Sequence, residues 1–114
     1  MAKFEFSGWL IQWLFAQEMF QFEWDTGNAT KSQQKHDVET NEAEEVFYDE
    51  SIFPLGAQTE PAVAEPRFGA LGKTFSGRHL HVAFTVRDGR VRVISARPMH
   101  RKEKMSYEQA IREE

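Results

Sequence analysis

The chain has 114 residues, a formal net charge of −4 from 18 acidic and 14 basic side chains, and no cysteine. This length fits one domain with a modest core. The lack of cysteine excludes disulfides, cysteine-based zinc sites and cysteine nucleophiles.

Residues 1–20 are crowded with large apolar side chains: Phe4, Phe6, Trp9, Leu10, Ile11, Trp13, Leu14, Phe15, Met19 and Phe20. Trp9, Trp13 and Leu14 recur near helical spacing, and Ser7 is placed to cap. The pattern predicts an N-terminal extension over 1–20 that is helical over 8–20. The run is shorter than the roughly 20 apolar residues of a membrane span. Only Lys3 supplies the basic flank that a membrane-surface helix wants. The segment also lacks the basic start and cleavage site of a secretory signal. No membrane association is expected, and the location is expected to be cytoplasmic. Aromatics this dense call for burial against protein, either the chain's own core or a second copy. A homo-oligomer contact through residues 8–20 is the favoured expectation.

A second unit is expected over 21–112. Gln21 to Trp24 reads as a short strand. Asp25 is placed to cap a helix running to Lys35-His36, and Asp37-Val38 makes a turn. Asn41, with Glu44 three residues on, is a capping-box pattern that opens a helix through Ala43, Val46 and Phe47. Residues 49–66 hold Pro54, Gly56, Pro61 and Pro66 and read as a loop or irregular edge. Arg67 to Lys73 is a strand, and Phe75 to Arg78 a turn. Pro98 suits the first turn of a final helix from Met99 to about Arg112. The fold class is α+β: a small antiparallel sheet with helices packed on one face, plus the extra N-terminal helix.

His79 to Arg87 and Arg90 to Arg97 are the best-defined pair. Asp88-Gly89 between β-branched runs is a hairpin signal, because both turn residues must accept positive φ. The turn pairs Arg87 with Arg90, Val86 with Val91, Thr85 with Arg92, Phe84 with Val93, Ala83 with Ile94 and His81 with Ala96. Strand alternation then puts Val82, Phe84, Val86, Val91 and Val93 on one face. The other face carries His81, Thr85, Arg87, Arg90 and Arg92. Arg97 falls nominally on the apolar side, where it could bridge Glu103 and hold the final helix.

Charge is segregated along the chain. Residues 37–66 carry nine acids and no Lys or Arg, whereas residues 67–104 carry ten bases against Asp88 and Glu103. The local field decides what a surface attracts. The basic segment could bind a polyanion by counterion release, or the two segments could neutralise each other within the fold.

Several motifs together carry a family resemblance. Phe22-Glu23-Trp24-Asp25 precedes Gly27-Asn28, Lys31 and Lys35-His36. Glu42-Ala43, Val46-Phe47 and Asp49 follow, then Arg67-Phe68, Leu71-Gly72, Phe84-Thr85-Val86-Arg87, Ile94-Ser95-Ala96-Arg97, Arg101-Lys102-Glu103 and Tyr107-Glu108. Over about residues 21–109 the chain resembles the BrnT toxin family. It departs from that pattern with Asp37 where Gly is usual, Ser32 where Asn is usual, Lys73 where Arg is usual, an acidic net charge, and residues 1–20. The resemblance implies a RelE-like fold and a small ribonuclease of a type II toxin-antitoxin pair that cleaves RNA and blocks translation. It also implies inhibition by a ribbon-helix-helix, BrnA-like antitoxin. The alternative is a non-catalytic protein-binding or RNA-binding module of the same fold.

A metal-free ribonuclease needs a base near the 2′-hydroxyl, cations for the pentavalent phosphorane and an acid for the leaving 5′-oxygen. Arginine is the better clamp, since its planar fork meets two phosphate oxygens. The candidate catalytic residues are therefore Arg67, Arg87, Arg97 and His36, with His36 able to titrate near neutrality or simply cap a helix. Lys35, Lys73, His81, Thr85, Arg90 and Arg92 are the candidate RNA contacts. No metal and no cofactor are expected; His79 and His81 share a strand face, where a pair usually packs or hydrogen-bonds.

Overall fold

The computed structural model describes residues 2–113. The elements are β1 (Lys3–Glu5), α1 (Gly8–Ala16), α2 (Lys31–His36), α3 (Thr40–Val46), β2 (Phe53–Glu60), β3 (Phe68–Lys73), β4 (His79–Arg87), β5 (Arg90–Pro98) and α4 (Arg101–Arg112). One antiparallel sheet has the order β1-β2-β3-β4-β5.

The β4–β5 hairpin forms as its turn residues dictate. Asp88 and Gly89 both take positive φ, 51° and 74°. The expected register holds from Arg87↔Arg90 to Phe84↔Val93. Beyond that point β5 bulges: Ala83 pairs with Ser95, Val82 with Ala96 and His81 with Arg97. Ile94 is the extra residue, and an extra residue on one strand flips every later side chain to the other face. Arg97 is thereby moved off the apolar side and set beside His81. Ala96 turns inward and is fully buried, and its N–H donates to Ser32 Oγ at 2.7 Å.

The apolar face of the sheet carries the main core. Phe68, Ala70, Leu80, Val82, Phe84, Val91, Val93 and Ala96 pack against Leu10 and Leu14 of α1, Ala43 and Val46 of α3, and Phe47 just after it. Phe84 meets Phe47 edge-on, ring centroids 5.0 Å apart. Such pairs add to the stabilisation from burial alone.

Several sequence expectations need correction. Helices do not pack on one face only: α4 lies against the opposite face, where Tyr107 meets His79 and Glu103 bonds His81. Tyr107 of α4 is fully buried there. Residues 53–60 form an interior strand, because the bulge at Gly56 (φ 102°) absorbs the irregularity that Pro54 and Gly56 announce. Phe22 makes only a bridge to Val91, parallel to β5. The segment after Asp25 is a run of turns, with the helix beginning at Lys31. Helix α3 starts at Thr40, so Glu42 rather than Glu44 reaches back, accepting the Glu39 N–H at 3.0 Å. Pro98 ends β5 instead of opening α4. Asp37 terminates α2 at φ 54°, a left-handed conformation that glycine adopts without strain.

The N-terminal segment supplies β1 as well as a helix, and the helix covers Gly8–Ala16 rather than 8–20. Leu10 and Leu14 are buried in the chain's own core, whereas Trp9 and Phe15 stay more than half exposed. No helix among the described residues is long and apolar enough to cross a membrane.

Candidate functional site

The polar face of the sheet gathers most of the expected residues, in two groups. Arg67 directly precedes Phe68, which pairs with Phe84. Carrying that register one residue further sets Arg67 beside Thr85, and Thr85 pairs with Arg92. Arg67, Thr85 and Arg92 therefore form a row across the sheet, with Arg87 two residues from Thr85 on the same face. Thr85 is buried beneath this row. Arg90 sits exposed at the hairpin turn.

Two arginines of this face have acidic partners within the chain. Glu65, on the β2–β3 loop, takes Arg87 through Nε at 3.1 Å and Nη2 at 2.8 Å. Arg92 Nη1 reaches Glu23 at 3.0 Å and Asp25 at 2.9 Å, and its Nη2 reaches the other Asp25 oxygen at 3.1 Å. These bonds hold the Asp25 and Glu65 carboxyls below their ordinary range and raise both arginines. Arg67 differs: its Nε is buried and has no hydrogen-bond partner among the described residues.

The segment that delivers these acids is tightly held. Glu23 N–H donates to the Val91 carbonyl at 2.9 Å, and Val91 N–H donates to Gln21 O at 2.8 Å. The buried Asn28 amide donates to the carbonyls of Glu23 and Val93, at 3.0 and 2.9 Å, while its oxygen accepts the Asp25 N–H at 2.8 Å. Phe22 packs into the core on Phe47, and alternation turns Glu23 to the polar face. Gly27 leaves room for the pair: a Cβ there would lie 3.1 Å from both Arg92 Nη2 and Asp25 Oδ1.

The second group lies four strand residues from Thr85, roughly 13 Å at the usual strand rise. Glu103 accepts two bonds from Arg97, at 2.8 and 2.9 Å, and lies 2.7 Å from His81 Nδ1. Arg97 Nη2 is also 3.0 Å from that nitrogen. With the Nδ1 proton assigned toward Glu103, Arg97 points its own hydrogens at the carboxylate. Glu103 additionally caps α4, accepting the His100 N–H at 2.8 Å. Burial pulls its pKa up, but His81, Arg97 and the His100 amide outweigh burial and hold it far below the usual carboxylate range. Phe4 packs on His81 at 5.9 Å between rings, so this end of the face is covered.

Three expected residues lie elsewhere. Lys35 and His36 are exposed in the last turn of α2, and the His36 carbonyl accepts from Arg78 at 3.2 Å. Arg78 also pairs with Glu42 at 3.2 Å, which ties α2 to α3. Lys73 ends β3, paired with His79, while its N–H donates to Asp49 at 2.8 Å. Among the described residues no three His, Asp or Glu side chains are grouped to hold a metal.

The acids Glu23, Asp25 and Glu65 were missed as members of the site. The Phe22–Asp25 motif held a signal for the first two, because apolar and acidic residues alternate there.

The family model described as "Ribonuclease toxin, BrnT, of type II toxin-antitoxin system" matches residues 24–103. The chain belongs to the BrnT toxin family. Membership makes it a ribonuclease toxin by kind, with an antitoxin as partner. Every arginine and carboxylate of the two groups except Glu23 falls inside the matched range, as do α2, α3 and the four strands β2 to β5. No curated protein matches the chain.

Proposed function

We propose that the chain is a metal-independent endoribonuclease that grips RNA on the Arg67–Thr85–Arg92 row with Arg87, cleaves it and blocks translation. The row itself carries this reading. Arginines from three neighbouring chain segments share one face by register, and arginine clamps a phosphate through paired N–H bonds. Arg67 offers a buried Nε donor that no other described residue engages. Arg90, Lys35, Lys73 and His36 supply flanking positive charge. His81 and Arg97 act from the covered end. A RelE-like fold, division at about residue 20, cytoplasmic action and neutralisation by a ribbon-helix-helix antitoxin belong to the same reading. The exposed Trp9 and Phe15 support a homo-oligomer through residues 8–20.

The carboxylates already seated on Arg87 and Arg92 favour one rival: a module that binds RNA or protein without cutting. Purified protein, mixed-sequence RNA and a metal chelator separate the two. Cleavage that persists in chelator and disappears in Arg87→Ala, with thermal unfolding unchanged, supports the nuclease. A surface change of this kind leaves stability nearly unaltered. Salt-dependent binding without cleavage supports the rival.

A further inference from the structure

Glu23 differs among the described residues from Asp25 and Glu65, the other acids of the arginine face. Its Oε1 lies 3.0 Å from Arg92 Nη1 and 3.5 Å from Arg87 Nη1, so it stands between the two guanidinium groups. Its Oε2 has no hydrogen-bond partner among the described residues, although the side chain is only 30% exposed. Glu65 and Asp25, by contrast, spend both oxygens on Arg87 and Arg92. The Glu23 backbone is pinned on both sides, by Val91 and by the buried Asn28 amide. A group held this firmly, with one oxygen free beside two phosphate clamps, is preorganised for proton transfer. His36, the other candidate for proton transfer, sits away on α2.

We propose that Glu23 is the general base of the cleavage reaction. The inference rests on the reading that RNA is held by Arg67, Arg87 and Arg92. With a phosphodiester clamped there, Glu23 Oε2 takes the proton of the adjacent 2′-hydroxyl. The 2′-oxygen then forms a bond to phosphorus as the bond from phosphorus to the 5′-oxygen breaks. The leaving 5′-oxygen takes a proton from water. The products are a 2′,3′-cyclic phosphate and a 5′-hydroxyl, and Glu23 returns its proton to solvent. No oxidant, metal or second substrate enters the balance. The charged groups facing Glu23 are Arg87 from β4, Arg92 from β5, Asp25 from the following turn and Glu65 beyond Arg87.

The test compares Glu23→Gln with wild type on mixed-sequence single-stranded RNA. The same RNA carrying 2′-O-methyl groups cannot be cleaved this way and reports binding alone. Glutamine keeps an oxygen for Arg92 but accepts protons poorly. Cleavage should fall about 100-fold or more, with 2′-O-methyl RNA bound at least as tightly. The wild-type rate should climb on the acidic side of its pH profile, and that limb should be missing in Glu23→Gln. A merely structural Glu23 would lower the melting temperature and leave the shape of the profile unchanged. Glu23→Gln that cleaves like wild type while Arg87→Ala is inactive overturns the base and leaves the arginine reading standing. If Arg87→Ala also cleaves like wild type, both fall. Product analysis on wild type needs no variant: ends bearing 3′-hydroxyl and 5′-phosphate would overturn the proposal, because they require attack by water.

Discussion

Glu65 grips Arg87 through both carboxylate oxygens, at 2.8 and 3.1 Å, and so occupies the fork with which Arg87 would meet a phosphate. The pair is half-exposed and joins the β2–β3 loop to β4. An exposed ion pair of this kind contributes little net stability, because water and salt screen it. Freeing Arg87 by Glu65→Ala should therefore tighten binding of 2′-O-methyl RNA by up to about fivefold. Fluorescence anisotropy at fixed salt measures it, and weaker binding would show that Glu65 helps RNA instead of competing with it.

Phe84 is fully buried between Phe47 and Phe68, at ring separations of 5.0 and 5.8 Å. Phe84→Ala should cost on the order of 3–5 kcal/mol, a large share of a small domain's stability. Denaturant unfolding gives the number, and an unchanged midpoint would contradict this packing.

Leu10 lies outside the residues the family model matches, yet it is completely buried. Leu10→Ala should destabilise the protein by about 2–5 kcal/mol. Trp9→Ala, at an exposed position, should be milder. Equal melting temperatures for Leu10→Ala and wild type would mean that α1 contributes nothing to the core.

Glu103 is harder to protonate in the folded chain than in the unfolded one, where its pKa is near 4.5. The unfolded state therefore binds more protons in acid, and the stability Glu103 provides is present above pH 4.5 and lost as pH falls below it. Thermal unfolding should show this loss. Glu103→Gln should be less stable at neutral pH and show a shallower decline in acid. Parallel curves for the two proteins would refute the assignment.

Half of the β4–β5 hairpin was legible because Asp88-Gly89 fixes the register locally, and the register holds as far as Phe84↔Val93. The bulge was not, because nothing in Val93-Ile94-Ser95-Ala96 marks Ile94 as the extra residue. It is settled by tertiary needs: Ala96 goes inward and its N–H finds Ser32 on another element. Strand β2 was hidden by Pro54 and Gly56, which break the local pattern while the neighbouring strands on both sides hold the segment in place. At the site, the arginine face could be read from alternation within one hairpin. Its carboxylates come from segments 20 to 70 residues away, and no periodicity reports a pairing at that separation.

Strands β1 to β5 follow one another along the chain and across the sheet, but α1, α2 and α3 lie between β1 and β2, so β1 gains its partner only when residues 53–60 exist. A ribosome makes about 5–20 residues per second. Phe4, Trp9, Leu10 and Leu14 are therefore made several seconds before residues 53–60. During that interval the nascent chain shows its most apolar stretch and none of its arginine face. Any chaperone that recognises this segment has its opportunity before the arginine face has been made.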